Sequence, residues 1–222
     1  MNIEIQHGPG NAAARVRLAT NEHLTTEAGS MIAMSGGMSL TTSTHKRDSG
    51  SALKALKRMF SGESLFLNHY SSAANDSEVW LATTLPGDMM VHELTGNTLI
   101  VQSGSFVACE DGVNMDMGWQ GMKTLFSGES LFWIKLSGKG KVVLNSFGAI
   151  YPIDVQSEVL IDTGHIVAFE DTLTFEISKA GKSWLHSFLG GEGLVCRFKG
   201  KGRVWCQSHN PGSFGTTLGK ML

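Results

Sequence analysis

Short apolar runs broken by glycine recur along this chain, and between them lie segments whose apolar positions keep a helical spacing. LIVQSGSFVACED at 99–111 and LIDTGHIVAFED at 160–171 each carry a β-forming run on both sides of a glycine, and LTTEAGSMIAMSG at 24–36 is a fainter version. The pattern predicts a hairpin turning at Gly29, Gly104 and Gly164. Downstream, LFLNHY, LFWIKL and LVCRF lead through a turn into runs containing Val79, Val142 and Val204, which predicts a second hairpin in each place. Leu56, Met59 and Phe60, then Met122, Leu125 and Phe126, then Leu185, Phe188 and Leu189 stand seven, four and three positions before a glutamate, the spacing of one helical face. The expectation is four short strands and a short helix, three times over.

The repetition is literal in places. FSGESLF occurs at 60–66 and again at 126–132, with a worn copy, FLGGEGLV, at 188–195; the central glutamates Glu63, Glu129 and Glu192 are offset by 66 and 63 residues. GKGKVV at 138–143 matches GKGRVW at 200–205. Regular offsets of this size identify an internal triplication. Its copies are expected at 1–94, 95–155 and 156–222, arranged around a pseudo-threefold axis with the three glutamates and the three glycines at equivalent places.

Composition supports one compact all-β body. The 222 residues are 41% hydrophobic, enough for a core, and 27 glycines against 4 prolines mean that turns rely on glycine conformations. No Pro-, Ser- or charge-rich tract separates the copies. No apolar run approaches the ~20 residues of a membrane-spanning helix, and MNIEIQHGPG lacks the plan of a signal peptide, so a soluble cytoplasmic protein is expected.

Candidate chemistry is sparse. Cys109, Cys196 and Cys206 are odd in number and lack CxxC spacing, which argues against a disulfide framework and a zinc knuckle and for small buried hydrophobes. Cys196 and Cys206 flank the turn at Lys201 symmetrically, leaving open whether they face each other. The eight histidines show no metal-ligand spacing, and His165 in DTGH reads as a turn residue. AGKS at 180–183 is not a phosphate loop, because Glu176 stands where its first glycine belongs, and GESLF is not a nucleophile elbow, because Phe66 and Phe132 replace the second glycine. Glu110 with Asp111, and Glu170 with Asp171, are adjacent carboxylates that a strand directs to opposite faces, so they read as solvated turns. The repeated glutamates are explained by a structural role at the head of a strand, with a shared ligand site as the other reading.

A net charge of −2 weighs against nonspecific nucleic-acid binding by the whole surface. Two local clusters remain as possible anion contacts, Lys54, Lys57 and Arg58 in the first copy and Arg197, Lys199 and Arg203 around the last turn. Either would meet an RNA backbone or an anionic membrane surface through salt-sensitive contacts.

FSGESLF, LPGD at 85–88, the second LFSGESLF, SFGAI at 146–150, DTGHIVAF at 162–169, and GEGLV followed by GKGRVWCQ together resemble the bacterial and archaeal family related to the mitochondrial altered-inheritance-of-mitochondria proteins. The resemblance covers nearly the whole chain. It implies three repeats, each similar to the subunit of the tryptophan RNA-binding attenuation protein, a double-stranded β-helix-like sandwich. The family brings no catalytic residues, and its mitochondrial relatives are associated with inner-membrane organisation, which implies a scaffold. Lys201 stands where the family commonly has proline, and Ser208 and His209 replace its usual Thr and Arg, which argues against an arginine-dependent contact at that end.

The sequence therefore favours a non-enzymatic scaffold or protein-interaction protein without cofactor or metal. It is expected to self-associate, because open strand edges must be paired or protected and Trp133 reads equally as exposed or as core. An RNA or small-ligand binder by analogy of fold is the alternative, and an unrecognised enzyme the third reading.

Overall fold

The computed structural model describes residues 1–43, 66–117, 133–179 and 194–221. These form strands β1 (Asn2–Gln6), β2 (Ala13–Leu18), β3 (His23–Glu27), β4 (Met31–Met34), β5 (Ser39–Ser43), β6 (Leu67–Ser71), β7 (Ser77–Leu81), β8 (Met89–Thr95), β9 (Leu99–Gln102), β10 (Phe106–Glu110), β11 (Val113–Asp116), β12 (Trp133–Asn145), β13 (Ile150–Val155), β14 (Glu158–Asp162), β15 (Ile166–Glu170), β16 (Thr174–Lys179), β17 (Leu194–Lys199) and β18 (Gly202–Gln207). One helix, α1 (Pro211–Gly219), follows them; Asn210 caps it by accepting the N–H groups of Gly212 and Ser213. The protein is all-β, as the apolar runs predict.

The predicted hairpins do not form. β3 and β4 flank Gly29 yet share no ladder: β3 pairs with β6 and β10, and β4 with β7. β9 pairs with β12 and β15, whereas β10 pairs with β12 and β3; β14 pairs with β17, whereas β15 pairs with β18 and β9. Each glycine is thus a corner at which the chain leaves one set of ladder partners for another. Gly29 turns at φ +89°, while Gly104 and Gly164 lie in 3₁₀ turns, Ser103–Ser105 and Thr163–His165. The second predicted hairpin is a crossing too. β12 runs unbroken through Gly138 and Gly140, its first half paired with β9 and β11 and its second half with β8 and β10. A glycine between apolar runs signals reversal when both flanks share a sheet; here each flank finds a distant partner instead.

The pairing scheme recurs. β7 lies between β2 and β4, the second half of β12 between β8 and β10, and β18 between β13 and β15. Likewise β6 lies between β3 and β5, the first half of β12 between β9 and β11, and β17 between β14 and β16. The strand after the corner is irregular at one place in each set, between Met31 and Ala33, Phe106 and Ala108, and Ile166 and Ala168. The boundary expected at 94/95 falls inside β8, whose partner is β12, and the one at 155/156 separates β13 from its partner β18.

Two further ladders join the sets. β10 lies antiparallel on β3 and β15 on β9, in matching register: Ala108 with Thr26 and Cys109 with Thr25, then Ala168 with Val101 and Phe169 with Ile100. Strands at these joints are covered on both faces. Leu99 and Val101 enter one core cluster with Phe106, Leu136 and Leu144, while Ile100 between them enters another with Phe169, Phe198 and Val204. That double burial explains continuous runs such as LIV and FVAC where a half-exposed strand would alternate.

Trp133 is core, 2% exposed, with its ring edge-on to Phe169 at 5.6 Å. The segments holding the predicted helices, the glutamates Glu63, Glu129 and Glu192, and the cations Lys54, Lys57 and Arg58 lie outside the described residues.

Candidate functional site

The three described cations of the expected anion contact already have partners. Arg197 and Lys199 on β17 both reach Glu158 on β14, at 2.6 and 3.7 Å, and Arg203 on β18 donates from Nε to Asp154 on β13 at 2.7 Å. Hydrogen bonding to Arg203 holds the Asp154 carboxyl below its ordinary range. Three cations thus share two carboxylates on this rim, and its exposed pairs add little stability.

The corner glycines and the carboxylates read as solvated turns have structural partners. The residue six places after each corner glycine, Ser35, Glu110 or Glu170, accepts the backbone N–H of Glu78, Lys141 or Arg203 at 2.9, 2.9 and 3.0 Å. The second glycine of each GKG, Gly140 and Gly202, leaves room for this approach: a Cβ there would stand 3.1 and 3.0 Å from the glutamate Oε2. Gly138 and Gly200, the first glycines, take φ +102° and +114°. DTGH is equally occupied. Asp162 accepts the Gly164 N–H at 2.8 Å, His165 Nδ1 meets the Gln207 carbonyl at 2.8 Å, and Gln207 Nε2 donates to the Gly164 carbonyl at 2.9 Å. LPGD and SFGAI lie on each other, with the N–H of Asp88 on the Gly148 carbonyl and that of Gly148 on the Pro86 carbonyl.

Among the described residues no three His, Cys, Asp or Glu side chains converge as metal ligands do. The three cysteines are buried; Cys196 faces Ile161 and Ile177 across its ladders and Cys206 faces Tyr151 and Ile166, and burial pushes both of these thiols up to about 12. A cleft lined by Arg17, Glu22, Asn75 and Asp76 is open, and three of these side chains are in use: Arg17 binds Glu78, Glu22 binds the N-terminal ammonium, and Asn75 accepts from the Thr20 N–H and hydroxyl. No described helix is long and apolar enough to cross a membrane.

Exposed apolar side chains also lie at Leu40, at Tyr151 and on α1, and two strand edges carry them where corresponding strands are buried. β4 reads Met-Ile-Ala-Met, and all four residues are exposed, Ile32 by 57% and Met34 by 39%; on β14, Leu160 is 50% exposed. The matching residues elsewhere are buried. Val107 and Val167 correspond to Ile32, Cys109 and Phe169 to Met34, and Thr25 and Ile100 to Leu160. Charge-based reading missed this surface, since apolar strand residues are ordinarily core. Its one sequence signal was the departure of the first copy, MSG where the others have CED and FED after the shared alanine.

A family model described as Mitochondrial biogenesis AIM24 matches residues 3–209. An uncharacterized protein of Streptococcus pyogenes serotype M6 is 32% identical over 200 residues, covering 87% of this chain and 80% of that protein. A crystal structure of a protein from Streptococcus pyogenes superposes with a TM-score of 0.81 at 26% identity, covering 100% of this chain and 99% of the other.

Proposed function

The chain belongs to the Mitochondrial biogenesis AIM24 family, and from that premise we propose that it is a non-enzymatic protein-interaction scaffold built from three attenuation-protein-like units. Support for the repeats comes from the recurring ladders, the shared irregularity before Ala33, Ala108 and Ala168, and the triple hydrogen bond accepted by Ser35, Glu110 and Glu170. On these ladders the units begin ahead of β2, β8 and β13. The observation that carries the scaffold reading is the exposure of β4 and of Leu160, where corresponding strands are buried. β4, an apolar edge without a charged or proline residue, is a surface for strand addition. Glu110 and Glu170, the carboxylates nearest to an acid–base pair, are committed to backbone N–H groups.

A photo-crosslinking residue placed in cells at Ile32 or at Leu160 tests this, with the exposed turn residue Lys201 as control. A discrete protein adduct, identified by mass spectrometry at the two edge positions and absent at Lys201, is the expected result. Equal labelling at all three positions, or none, would end the interaction reading.

A further inference from the structure

The two joints inside the chain follow one rule: the strand after a corner lies antiparallel on the strand before the preceding corner. β10 lies on β3 and β15 on β9 by this rule, which, among the described strands, leaves β4 and β14 without such a partner. They are the free ends of the two short sheets, β1–β2–β7–β4 and β14–β17–β16. Joining those sheets through β4 and β14 would reproduce the strand order found at each internal joint, β8–β12–β10–β3–β6–β5 and β13–β18–β15–β9–β12–β11. A pure threefold rotation would bring β4 onto β14 within the chain. Here they share no ladder and β4 is exposed along its length, so the rule, continued past the third unit, asks for the first unit of another molecule.

We propose that β4 of one molecule adds to β14 of a second copy, antiparallel, with Ala33 opposite Ile161 and Met34 opposite Leu160. This rests on the scaffold reading and names the partner of the same edges. The register is transferred from the internal joints by counting from the corner glycines: Ala33 matches Ala108 and Ala168, and Ile161 matches Thr26 and Val101. At those joints the residues equivalent to Ile32, Val107 and Val167, enter the core of the preceding unit, so Ile32 enters the third unit of the neighbour on the face of Val159 and Ile161, while Leu160 on the other face meets Met34. The irregularity in β4 is no obstacle, because β10 and β15 carry it and still pair on their outer side. β4 brings no charge and Leu160 is apolar, so the contact is a hydrophobic ladder that salt strengthens slightly. The surfaces are different, so the contact is heterologous and propagates head to tail, closing as a ring or extending as a filament.

Two single variants, Met34→Cys and Leu160→Cys, test the register in the full chain, whose native thiols are buried. Mild oxidation of their mixture is expected to give a disulfide-linked dimer containing one of each, and neither variant alone gives it. At about 100 µM the native protein sediments above its 23.9 kDa monomer mass, and Leu160→Lys, a charge on an exposed position, returns it to monomer. A native monomer at that concentration would overturn the proposal. So would a Met34→Cys/Leu160→Cys double variant that closes its disulfide within one chain, or a larger particle indifferent to Leu160→Lys. If crosslinks from Ile32 then report only a different protein, the scaffold reading survives and self-addition does not.

Discussion

The Glu170 carboxylate accepts the backbone N–H of Arg203 at 3.0 Å, tying the end of β15 to the start of β18. Glu110 does the same for Lys141, joining β10 to β12, and Ser35 for Glu78 at β7. A side chain fills the acceptor role that a regular ladder would give to a carbonyl. The expectation is that Glu110→Ala and Glu170→Ala each cost about 1–2 kcal/mol in urea unfolding, while the Gln variants recover most of the loss. Unchanged midpoints for the alanine variants would show that these bonds add nothing net.

Gly87→Ala should be far more damaging than Gly29→Ala. A Cβ on Gly87 would stand 1.7 Å from the Ser146 carbonyl oxygen, and backbone cannot step aside. Gly29 has open space around it, and only its φ of +89° resists a side chain. Thermal unfolding is expected to show a loss of about 1 kcal/mol at Gly29 and about 3 kcal/mol or more at Gly87.

Burial pushes the Glu27 carboxyl up to about 7 from an ordinary value near 4.5. The folded chain therefore keeps a proton that the unfolded chain releases between those values. Its contribution to stability is intact below about pH 4.5, declines as pH rises through the window, and levels off above about 7. Glu27→Gln removes the titration, so at pH 8 it should stabilise the protein by up to about 3 kcal/mol, and the gain should vanish near pH 4.5. A difference independent of pH would rule this account out.

Arg197, Lys199 and Arg203 share Glu158 and Asp154, which leaves one positive charge in excess, so RNA or anionic vesicles are expected to gain no steep salt-dependent affinity from this rim. Asp154→Ala with Glu158→Ala should uncover the cations and create such binding. Native binding that falls steeply with salt and is lost in Arg197→Ala with Arg203→Ala would revive the anion-binding alternative.

Sequence alone determined the kind of element and where it breaks. The apolar runs at 99–111 and 160–171 specified strands, and the corner glycines specified breaks between them. These are legible because strand propensity and the preference of glycine for turns act over a few residues. Cys196 and Cys206 were readable as core for the same reason: small apolar side chains in β-type runs.

Tertiary structure decided who pairs with whom. A strand has two hydrogen-bonding edges, and nothing within LIVQ distinguishes a turn back onto FVACE from the observed ladders to β12 and β15. That choice is set by which distant edges and cores are available, so the expected hairpins became corners, Trp133 settled in the core against Phe169, and the cations of β17 found Glu158. The same long-range matching left β4 and β14 open. Their residues are as apolar as those of β10 and β9, and only the absence of a ladder partner within the described chain puts Met34 and Leu160 in water while Phe169 and Ile100 are buried.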